Sequence, residues 1–252
     1  MKNRIYIFIC SFMTVFSFSA NAQHQTDKKL ENKLRVLLSS FHGTAGVYVR
    51  NLKTGKEATI NADTIFPTAS IVKVPILVGV FKKIDEGLYT YHQPLVYRDS
   101  IARGGSGLMQ FFKDSTPTEL RTLVSLMLSH SDNTAAVWCE KLAGGGVEIN
   151  SWLEKNGFKN TRVNARTAGR ETMYKEYGWG QTTPREMSDL MVMIREGKTI
   201  TEAASEQMYR DLTDVFWDEY AVTNSPLCAG CFKTRYGRCF ALGSGFGERS
   251  AR

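Results

Sequence analysis

The sequence predicts an α+β fold, in which an antiparallel sheet is covered by helices and the other half of the chain is all helical. Residues 45–60 alternate apolar and polar side chains on either side of a Lys-Thr-Gly-Lys turn, a pattern typical of a β-hairpin. Residues 117–212 instead repeat apolar side chains at helical spacing, with breaks rich in serine and glycine. With 252 residues and no repeat or linker, the chain is long enough for one large domain.

The first half of the chain is expected to begin with a helix over residues 27–38, where leucines lie at helical spacing ahead of the hairpin. A second helix starts near Ser70 and is expected to end at Gly87. Residues 91–108 have little periodicity and contain the segment Gly104-Gly105-Ser106-Gly107. That segment fits either a flexible connector or the rim of a substrate cleft.

The second half is expected to contain five helices, joined by short breaks and one long polar loop. Pro117 opens the first of them, with Glu119 in its first turn, and this helix ends at Ser129-His130. A loop without a clear period is expected over residues 162–181. The other four helices are expected over residues 134–142, 147–156, 185–196 and 201–212.

Residues 1–22 have the features of a secretory signal peptide. Lys2 and Arg4 give a positive start, an apolar run follows, and Ala20-Asn21-Ala22 is a small-x-small cleavage site. The apolar run is too short for a membrane span, and Cys10 lacks the small residues that precede a lipidated cysteine. We therefore expect a secreted, periplasmic protein without a membrane anchor.

The net charge of +7 does not indicate a nucleic-acid partner. The signal peptide carries two of these charges and residues 226–252 carry a net four, which leaves +1 for the body of the protein. Basic stripes with interleaved aromatic side chains are absent from the sequence.

Neither a metal nor another cofactor is expected. The four histidines share no ligand spacing, and the pair formed by Cys228 and Cys231 lacks the second pair of a zinc site. Cys139 lies in an apolar helical stretch and is expected to be a buried free thiol.

Ser70 and Lys73 lie three positions apart at the start of the second helix, so both side chains fall on one helix face. A serine is a weak nucleophile that needs an adjacent base to take its proton. The positive end of a helix dipole disfavours the charged form of a lysine, which makes a neutral Lys73 a candidate base. The alternative is an ordinary serine cap followed by a surface lysine.

Ser131-Asp132-Asn133 falls at the break between two predicted helices, where polar side chains can project into open space. On its own this triplet would be an ordinary N-cap cluster. Together with Ser70-x-x-Lys73 it resembles the motif set of the penicillin-recognising serine enzymes, and most of all that of the class A β-lactamases. The resemblance covers roughly residues 45–212.

The resemblance implies a β-lactamase/transpeptidase-like fold and a role for each matching residue. Ser70 would attack a β-lactam carbonyl and form an acyl-enzyme, with Lys73 activating it. Ser131 would pass a proton to the departing lactam nitrogen, and Asn133 would hydrogen-bond the side-chain amide of the substrate. Asp132 would support the adjoining loop. The implied substrate is a β-lactam or a cell-wall peptide, and we expect a monomer.

The polar loop departs from the family pattern at the glutamate that normally deacylates the enzyme. Counting back from Pro184 places Arg166 or Thr167 where that glutamate should be. Glu171 is the nearest carboxylate, and it would either orient a hydrolytic water or form a salt bridge with Arg166 or Arg170. Without a placed base the acyl-enzyme would be long-lived.

The C-terminal region departs as well. The family's third motif, Lys-Thr-Gly on a strand facing the serine, would correspond to Lys233-Thr234-Arg235, and Lys233 would contact the substrate. Arginine replaces the glycine, and residues 236–252 show no strand alternation. We therefore predict an incomplete or out-of-frame C-terminus that arises from a frameshift near Pro226. The predicted organisation is a signal peptide over residues 1–22, a β-lactamase-like serine hydrolase domain over 23–225, and an aberrant tail over 226–252.

The function predicted first is therefore an exported serine hydrolase that forms an acyl-enzyme with β-lactams and hydrolyses the lactam amide. A D-alanyl-D-alanine peptidase or esterase on the same fold is its nearest competitor, and the missing glutamate favours it. Two further hypotheses are a non-catalytic penicillin-binding sensor and an inactive product of a broken gene.

Overall fold

The structure, a computed structural model, describes residues 25–213. The predicted signal peptide, the predicted aberrant tail and Lys233 lie outside the described residues. The expected break in the reading frame near Pro226 lies outside them too.

The described chain folds into helices and small antiparallel sheets, which confirms the predicted α+β class. Eight α-helices are described, and the second of them begins three residues after the predicted nucleophile. They are α1 (Lys28–Leu38), α2 (Lys73–Asp85), α3 (Leu120–Ser129), α4 (Asn133–Leu142), α5 (Gly145–Lys155), α6 (Glu171–Tyr177), α7 (Pro184–Arg195) and α8 (Glu202–Thr213). Within residues 25–213 there is no helix whose length and apolar character would let it span a bilayer.

The strands of the described chain form three separate antiparallel sheets. The first is the predicted hairpin, in which Val47 pairs with Ile60 and Arg50 pairs with Glu57. The second has the order β3-β7-β6, and the third joins β4 to β5. The strands are β1 (Val47–Arg50), β2 (Glu57–Ile60), β3 (Phe66–Pro67), β4 (Pro94–Val96), β5 (Pro117–Glu119), β6 (Arg162–Val163) and β7 (Gly180–Thr182).

Helix α2 is the centre of the core. Every residue from 73 to 81 is buried, and the helix packs against α4, α5 and α8. A helix that is apolar on all sides is stable only where other elements surround it, and here they do. The predicted thiol, Cys139 on α4, is buried in this core and free. Because α2 is enclosed, its N-terminus is held in a fixed place.

The prediction that Pro117 opens a helix is wrong. Residues Pro117–Glu119 form strand β5 and pair with Pro94–Val96, and α3 begins only at Leu120. Proline fits this position because the first residue of an edge strand need not donate a hydrogen bond. The partner strand, Pro94–Val96, lies in the stretch that was expected to be irregular. Pairing between distant residues therefore decided the structure here, against the helix-start signal of Pro117.

The expected loop over residues 162–181 contains more structure than its sequence indicated. Strand β6, helix α6 and strand β7 all lie within it. Helix α6 spans only seven residues and has no buried residue, so it leaves no apolar period to detect.

Candidate active site

Ser70 lies in a 3₁₀ helix, Ala69–Val72, that leads directly into α2. Its side chain is exposed, whereas Val72 and Lys73 immediately after it are buried. Ala69 has a φ of 44°, a left-handed conformation that costs energy for a residue with a side chain. This strained approach presents the serine hydroxyl at the surface while its helix stays in the core.

Strand β7 holds the chain that precedes Ser70. The backbone N–H of Thr68 donates to the carbonyl oxygen of Gly180 at 2.9 Å. A Cβ atom at Gly180 would come within 2.7 Å of Val72 and 2.8 Å of the carbonyl oxygen of Arg162. Glycine is therefore required at this position for the strand to reach the serine helix.

Lys73 is the first residue of α2, and its amine connects both predicted motifs. It is buried with 3% of its surface exposed. Its Nζ lies 3.2 Å from Ser70 Oγ, 2.8 Å from Ser131 Oγ and 3.2 Å from Asn133 Oδ1. It also donates to the carbonyl oxygen of Ser131 at 2.6 Å.

Burial lowers the pKa of Lys73 to about 8, because desolvation penalises the ammonium form. The negative charge of Asp132 acts in the opposite direction but is the smaller effect. Four oxygen atoms surround an ammonium group that has only three N–H donors. In the neutral form, the lone pair of Nζ can accept the hydroxyl proton of Ser70.

Ser131 occupies the break between α3 and α4, as predicted, and has a φ of 52°. Its Oγ donates a hydrogen bond to Ser70 Oγ at 2.9 Å. With Lys73 close to both hydroxyls, the three side chains form a closed set of hydrogen bonds. A proton on any one of them has a path to the other two.

Asp132 is fully buried and anchors the glycine-rich segment. As the N-cap of α4 its Oδ1 accepts from the N–H of Ala135 at 2.9 Å. Its Oδ2 accepts from the N–H groups of Leu108 at 2.6 Å and Met109 at 2.8 Å. Gly107, with a φ of 105°, passes so close that a Cβ atom would lie 2.3 Å from the carboxylate.

Asn133 completes the attachment of that segment. Its backbone N–H donates to the carbonyl oxygen of Ser106 at 3.0 Å, and its Nδ2 donates to that of Gly104 at 3.2 Å. Of the two expectations for this segment, a flexible connector and the rim of the cleft, the structure supports the rim.

Glu171 is not joined to the serine site. It is the first residue of α6, it is exposed, and its Oε1 accepts from the N–H of Gly169 at 3.2 Å. Among residues 25–213 no hydrogen bond or ion pair joins Glu171 to Ser70, to Arg166 or to Arg170. The expectation of a salt bridge with one of those arginines is therefore wrong.

Both arginines have other partners. Arg170 donates to Asn164 Oδ1 at 2.8 Å and to Gln181 Oε1 at 2.7 Å. Arg166 forms an ion pair with Glu140 of α4. Burial raises the pKa of the Glu140 carboxyl, and the nearby Arg166 guanidinium opposes that rise.

Trp179 is a neighbour of the site that the sequence interpretation missed. The Arg166 guanidinium lies 5.4 Å from the centre of the Trp179 ring, and Lys73 Nζ lies 6.0 Å from the same centre. Trp179 stands between two glycines in the loop, and a tryptophan in that setting was the available signal.

A strained, exposed serine in contact with a buried lysine and a second serine is the arrangement of a nucleophile with an adjacent base. The sequence matches the family described as "Beta-lactamase enzyme family" over residues 29–226, and the chain belongs to that family. This confirms the resemblance drawn from Ser70-x-x-Lys73 and Ser131-Asp132-Asn133.

Known relatives support the same assignment. Beta-lactamase VEB-1 of Pseudomonas aeruginosa is 25% identical over 199 residues, covering 76% of this chain and 63% of the relative. A beta-lactamase of Bacteroides uniformis is 24% identical over 215 residues, covering 84% of this chain and 69% of the relative. This chain therefore spans less than two thirds of the length of the first relative.

The solved structure of PBP-A is 28% identical to this chain, with a TM-score of 0.67. The match covers 76% of this chain and 71% of PBP-A. A mutant of PBP-A, solved as an acyl-enzyme complex with penicillin G, matches to the same extent. The predicted β-lactamase/transpeptidase-like fold is confirmed by these similarities.

Proposed function

We propose that this protein is an exported serine hydrolase of class A β-lactamase type, which forms an acyl-enzyme at Ser70 with β-lactams and hydrolyses the lactam amide. The observation that carries the proposal is the placement of Lys73 Nζ, 3.2 Å from Ser70 Oγ and 2.8 Å from Ser131 Oγ. A buried amine with a lowered pKa at that place is a base beside a nucleophile.

The acylation step follows from these contacts. Neutral Lys73 accepts the hydroxyl proton of Ser70 as Oγ bonds to the lactam carbonyl carbon. The proton then passes through Ser131 to the lactam nitrogen as the bond between that nitrogen and the carbonyl carbon breaks. The backbone N–H of Ser70 stabilises the developing oxyanion, an interaction whose loss typically costs ~3 kcal/mol in the transition state.

Substrate binding is assigned to Asn133 and Lys233. Asn133 Nδ2, at the rim formed by residues 104–107, would hydrogen-bond the side-chain amide of the substrate. Lys233, outside the described residues, would meet the carboxylate of the substrate. Asp132 fixes this rim through its hydrogen bonds to Leu108 and Met109.

Fewer observations support the deacylation step than the acylation step. Glu171 is our candidate for orienting the hydrolytic water, but its hydrogen bond is to its own loop. Arg166, which together with Thr167 is one of the two positions predicted for the family's glutamate, carries the opposite charge and pairs with Glu140. These observations favour a long-lived acyl-enzyme, and hence a D-alanyl-D-alanine peptidase or esterase as the second candidate function.

Intact-mass spectrometry of the full chain incubated with benzylpenicillin tests the proposal. We expect a mass increase of one penicillin, formed by the wild-type protein and lost in Ser70→Ala. Ser125→Ala, an exposed serine on α3, is the matched control and should acylate normally. Decay of the adduct, together with hydrolysis of a chromogenic cephalosporin, indicates a β-lactamase. A stable adduct indicates the peptidase or esterase.

An absence of any adduct would contradict acylation at Ser70. If Ser70→Ala then binds penicillin as tightly as the wild type without an adduct in either, the non-catalytic sensor is the correct function.

We further propose that residues 1–22 direct export to the periplasm, that residues 23–225 form the hydrolase domain of a monomer, and that residues 226–252 are an aberrant tail. Mass analysis of the protein from a periplasmic extract should give an N-terminus at Gln23. Sequencing of the gene tests the frameshift, and a single clean frame through residue 226 with no alternative frame downstream would contradict it.

A further inference from the structure

A cleft of about 500 Å³ lies beside the serine site, between α4 and the loop that carries Arg166. This is within the size range of small-molecule sites, about 300–1,000 Å³. Its apolar surface comes from Trp138, Val137 and Ile101. Its charged side chains are predominantly basic, with one acid among them: Arg98, Arg103, Lys141 and Arg166 against Glu140.

Two of the four cations have no partner of their own. Arg166 is paired with Glu140, and Arg98 is paired with Asp114. Within the part of the chain that the structure describes, the side chains of Arg103 and Lys141 form no hydrogen bond or ion pair. The cleft therefore keeps an excess of positive charge, which attracts and concentrates anions.

The cleft and the serine site share a wall. Thr134 Oγ1 accepts from the N–H of Arg103 at 2.9 Å and donates to its carbonyl oxygen at 3.0 Å. The next residue, Gly104, accepts from Asn133, whose other amide atom faces Lys73. One short segment thus bounds the cleft at Arg103 and the nucleophilic site at Gly104.

A second connection runs through Trp179. Its ring centre is 5.4 Å from the Arg166 guanidinium, which lines the cleft, and 6.0 Å from the amine of Lys73, which contacts Ser70. The cleft and the serine site are therefore neighbours at two places, through Arg103 and Gly104 and through Arg166 and Trp179.

We propose that this cleft is a second subsite, which binds a carboxylate at the end of the acyl arm of the molecule that reacts at Ser70. The inference rests on the proposed function. Arginine matches a carboxylate with two parallel hydrogen bonds, and lysine adds a point charge. The apolar floor suits the hydrocarbon portion of such an arm. The preferred substrates are thus those with an acidic side chain.

The test uses two penicillins that differ in one group. In the first the side chain is adipoyl, so that a flexible arm ends in a free carboxylate, and in the second that carboxylate is a methyl ester. Calorimetry on the full-length Ser70→Ala protein measures binding without acylation. We expect the acid to bind about tenfold more tightly than the ester, an advantage that shrinks as salt is added.

Lys141→Glu should abolish this preference, and Lys155→Glu is its matched control. Both lysines are exposed and lie in the last turn of a helix, α4 and α5 respectively, so both substitutions meet the same unfavourable helix dipole. Arg103→Gln provides a second variant, which does not introduce a negative charge. Circular dichroism of each variant checks that the fold is retained.

Equal binding of acid and ester, no binding of either, or a preference that survives both Lys141→Glu and Arg103→Gln would overturn the subsite. Failure of the proposed function gives a different result, because the wild-type protein would then form no covalent adduct with either penicillin. A preference for the acid in Ser70→Ala that is lost in Lys141→Glu and kept in Lys155→Glu, together with a covalent adduct in the wild-type protein, supports the subsite.

Discussion

At the scale of single residues, Lys73 is the group on which the proposed acylation depends. It is surrounded by oxygen atoms of both motifs yet buried enough for its pKa to fall to about 8. At that pKa about one molecule in ten holds the neutral amine at pH 7. In the mechanism that we propose, the site therefore needs no second base for acylation, and only a minority of molecules are in the reactive form at neutral pH.

The rate of acylation should accordingly rise with pH. The reactive form is the neutral amine, so the rate constant for labelling by benzylpenicillin is expected to increase about tenfold per pH unit below the pKa of Lys73 and to level off above about 8. Stopped labelling reactions analysed by mass provide the measurement. A rate that is flat from pH 6 to pH 9 would show that another group takes the proton of Ser70.

Asp132→Asn should alter both stability and this pH profile. An amide nitrogen cannot accept the hydrogen bonds of Leu108 and Met109, so the free energy of unfolding should fall by about 1–3 kcal/mol. Removing the negative charge also removes the effect that raises the pKa of Lys73, so the midpoint of the acylation profile should move below 8. Denaturant unfolding and labelling rates measure the two effects.

Asp85→Asn is the control for that substitution. Asp85 is exposed at the end of α2, and the same change there should leave both the stability and the pH profile within error of the wild type. If Asp132→Asn lowers stability but leaves the midpoint unchanged, the charge of Asp132 does not act on Lys73.

At the scale of elements, Glu186 joins α7 to the start of the polar loop. Its carboxylate accepts from the backbone N–H groups of Lys159 and Asn160, both at 3.0 Å, and of Thr161 at 2.6 Å. Glu186 is also in the first turn of α7, whose N-cap Thr183 accepts from the Glu186 N–H at 3.1 Å. The Glu186 side chain thus fixes the entry to strand β6 from the first turn of α7, whose start is capped by Thr183.

Glu186→Ala should therefore destabilise the protein much more than a loss of helix-terminal charge would. Three backbone donors lose a charged acceptor, and we expect the free energy of unfolding to fall by about 3 kcal/mol. Glu202→Ala, in the first turn of α8, removes a comparable charge that is exposed, and it should cost less than about 1 kcal/mol. Equal losses in urea titrations of the two variants would contradict the role of Glu186 in the loop.

The elements also show where sequence interpretation succeeds. Helices α1, α4 and α7 carry apolar side chains at helical spacing after a side-chain N-cap, and they were predicted to within a few residues. The short strands β4 and β5 could not be predicted, because they pair residues about 23 positions apart and their local sequence is irregular. Proline at the start of β5 even favoured the wrong element.

The same division applies to the candidate site. Ser70, Lys73 and Ser131-Asp132-Asn133 were recognisable because each motif is contiguous in sequence, and the structure brings them together. Glu140 and Arg166 are 26 positions apart, and neither belongs to a motif. Their pairing depends on how the polar loop packs on α4, which only the folded chain shows. Lys233 lies outside the described residues, so its role is still a prediction.

At the scale of the whole molecule, the Arg166–Glu140 ion pair connects the helical core to the polar loop. Glu140 is only 3% exposed, whereas the Arg166 side chain is 35% exposed. Removing the arginine leaves a buried carboxylate without its partner, which is far more costly than breaking an exposed pair. The loop beside the serine site is thus held by a charge that the core cannot leave unpaired.

Arg166→Ala should lower the free energy of unfolding by about 2 kcal/mol at pH 7, a value reduced from that of a fully buried pair because Arg166 is partly exposed. The loss should shrink toward pH 4. Burial already holds the pKa of Glu140 above its ordinary value of 4.5, and the loss of Arg166 raises that pKa further. In the folded variant Glu140 is therefore protonated as the pH falls toward 4, and the unpaired buried charge disappears.

Arg210 and Glu206 provide a matched comparison, since they form an exposed i,i+4 pair on α8. Arg210→Ala should cost less than about 0.5 kcal/mol and show little dependence on pH. A double-mutant cycle of Arg166→Ala with Glu140→Gln then isolates the coupling, which should be well above that of the α8 pair at pH 7 and small at pH 4. The same kind of cycle on Arg210 and Glu206 measures the coupling of the exposed pair. If the two cycles give the same coupling at pH 7, the ion pair of Arg166 does not fix the loop. The position of the loop must then depend on the hydrogen bonds of Arg170 and Glu186.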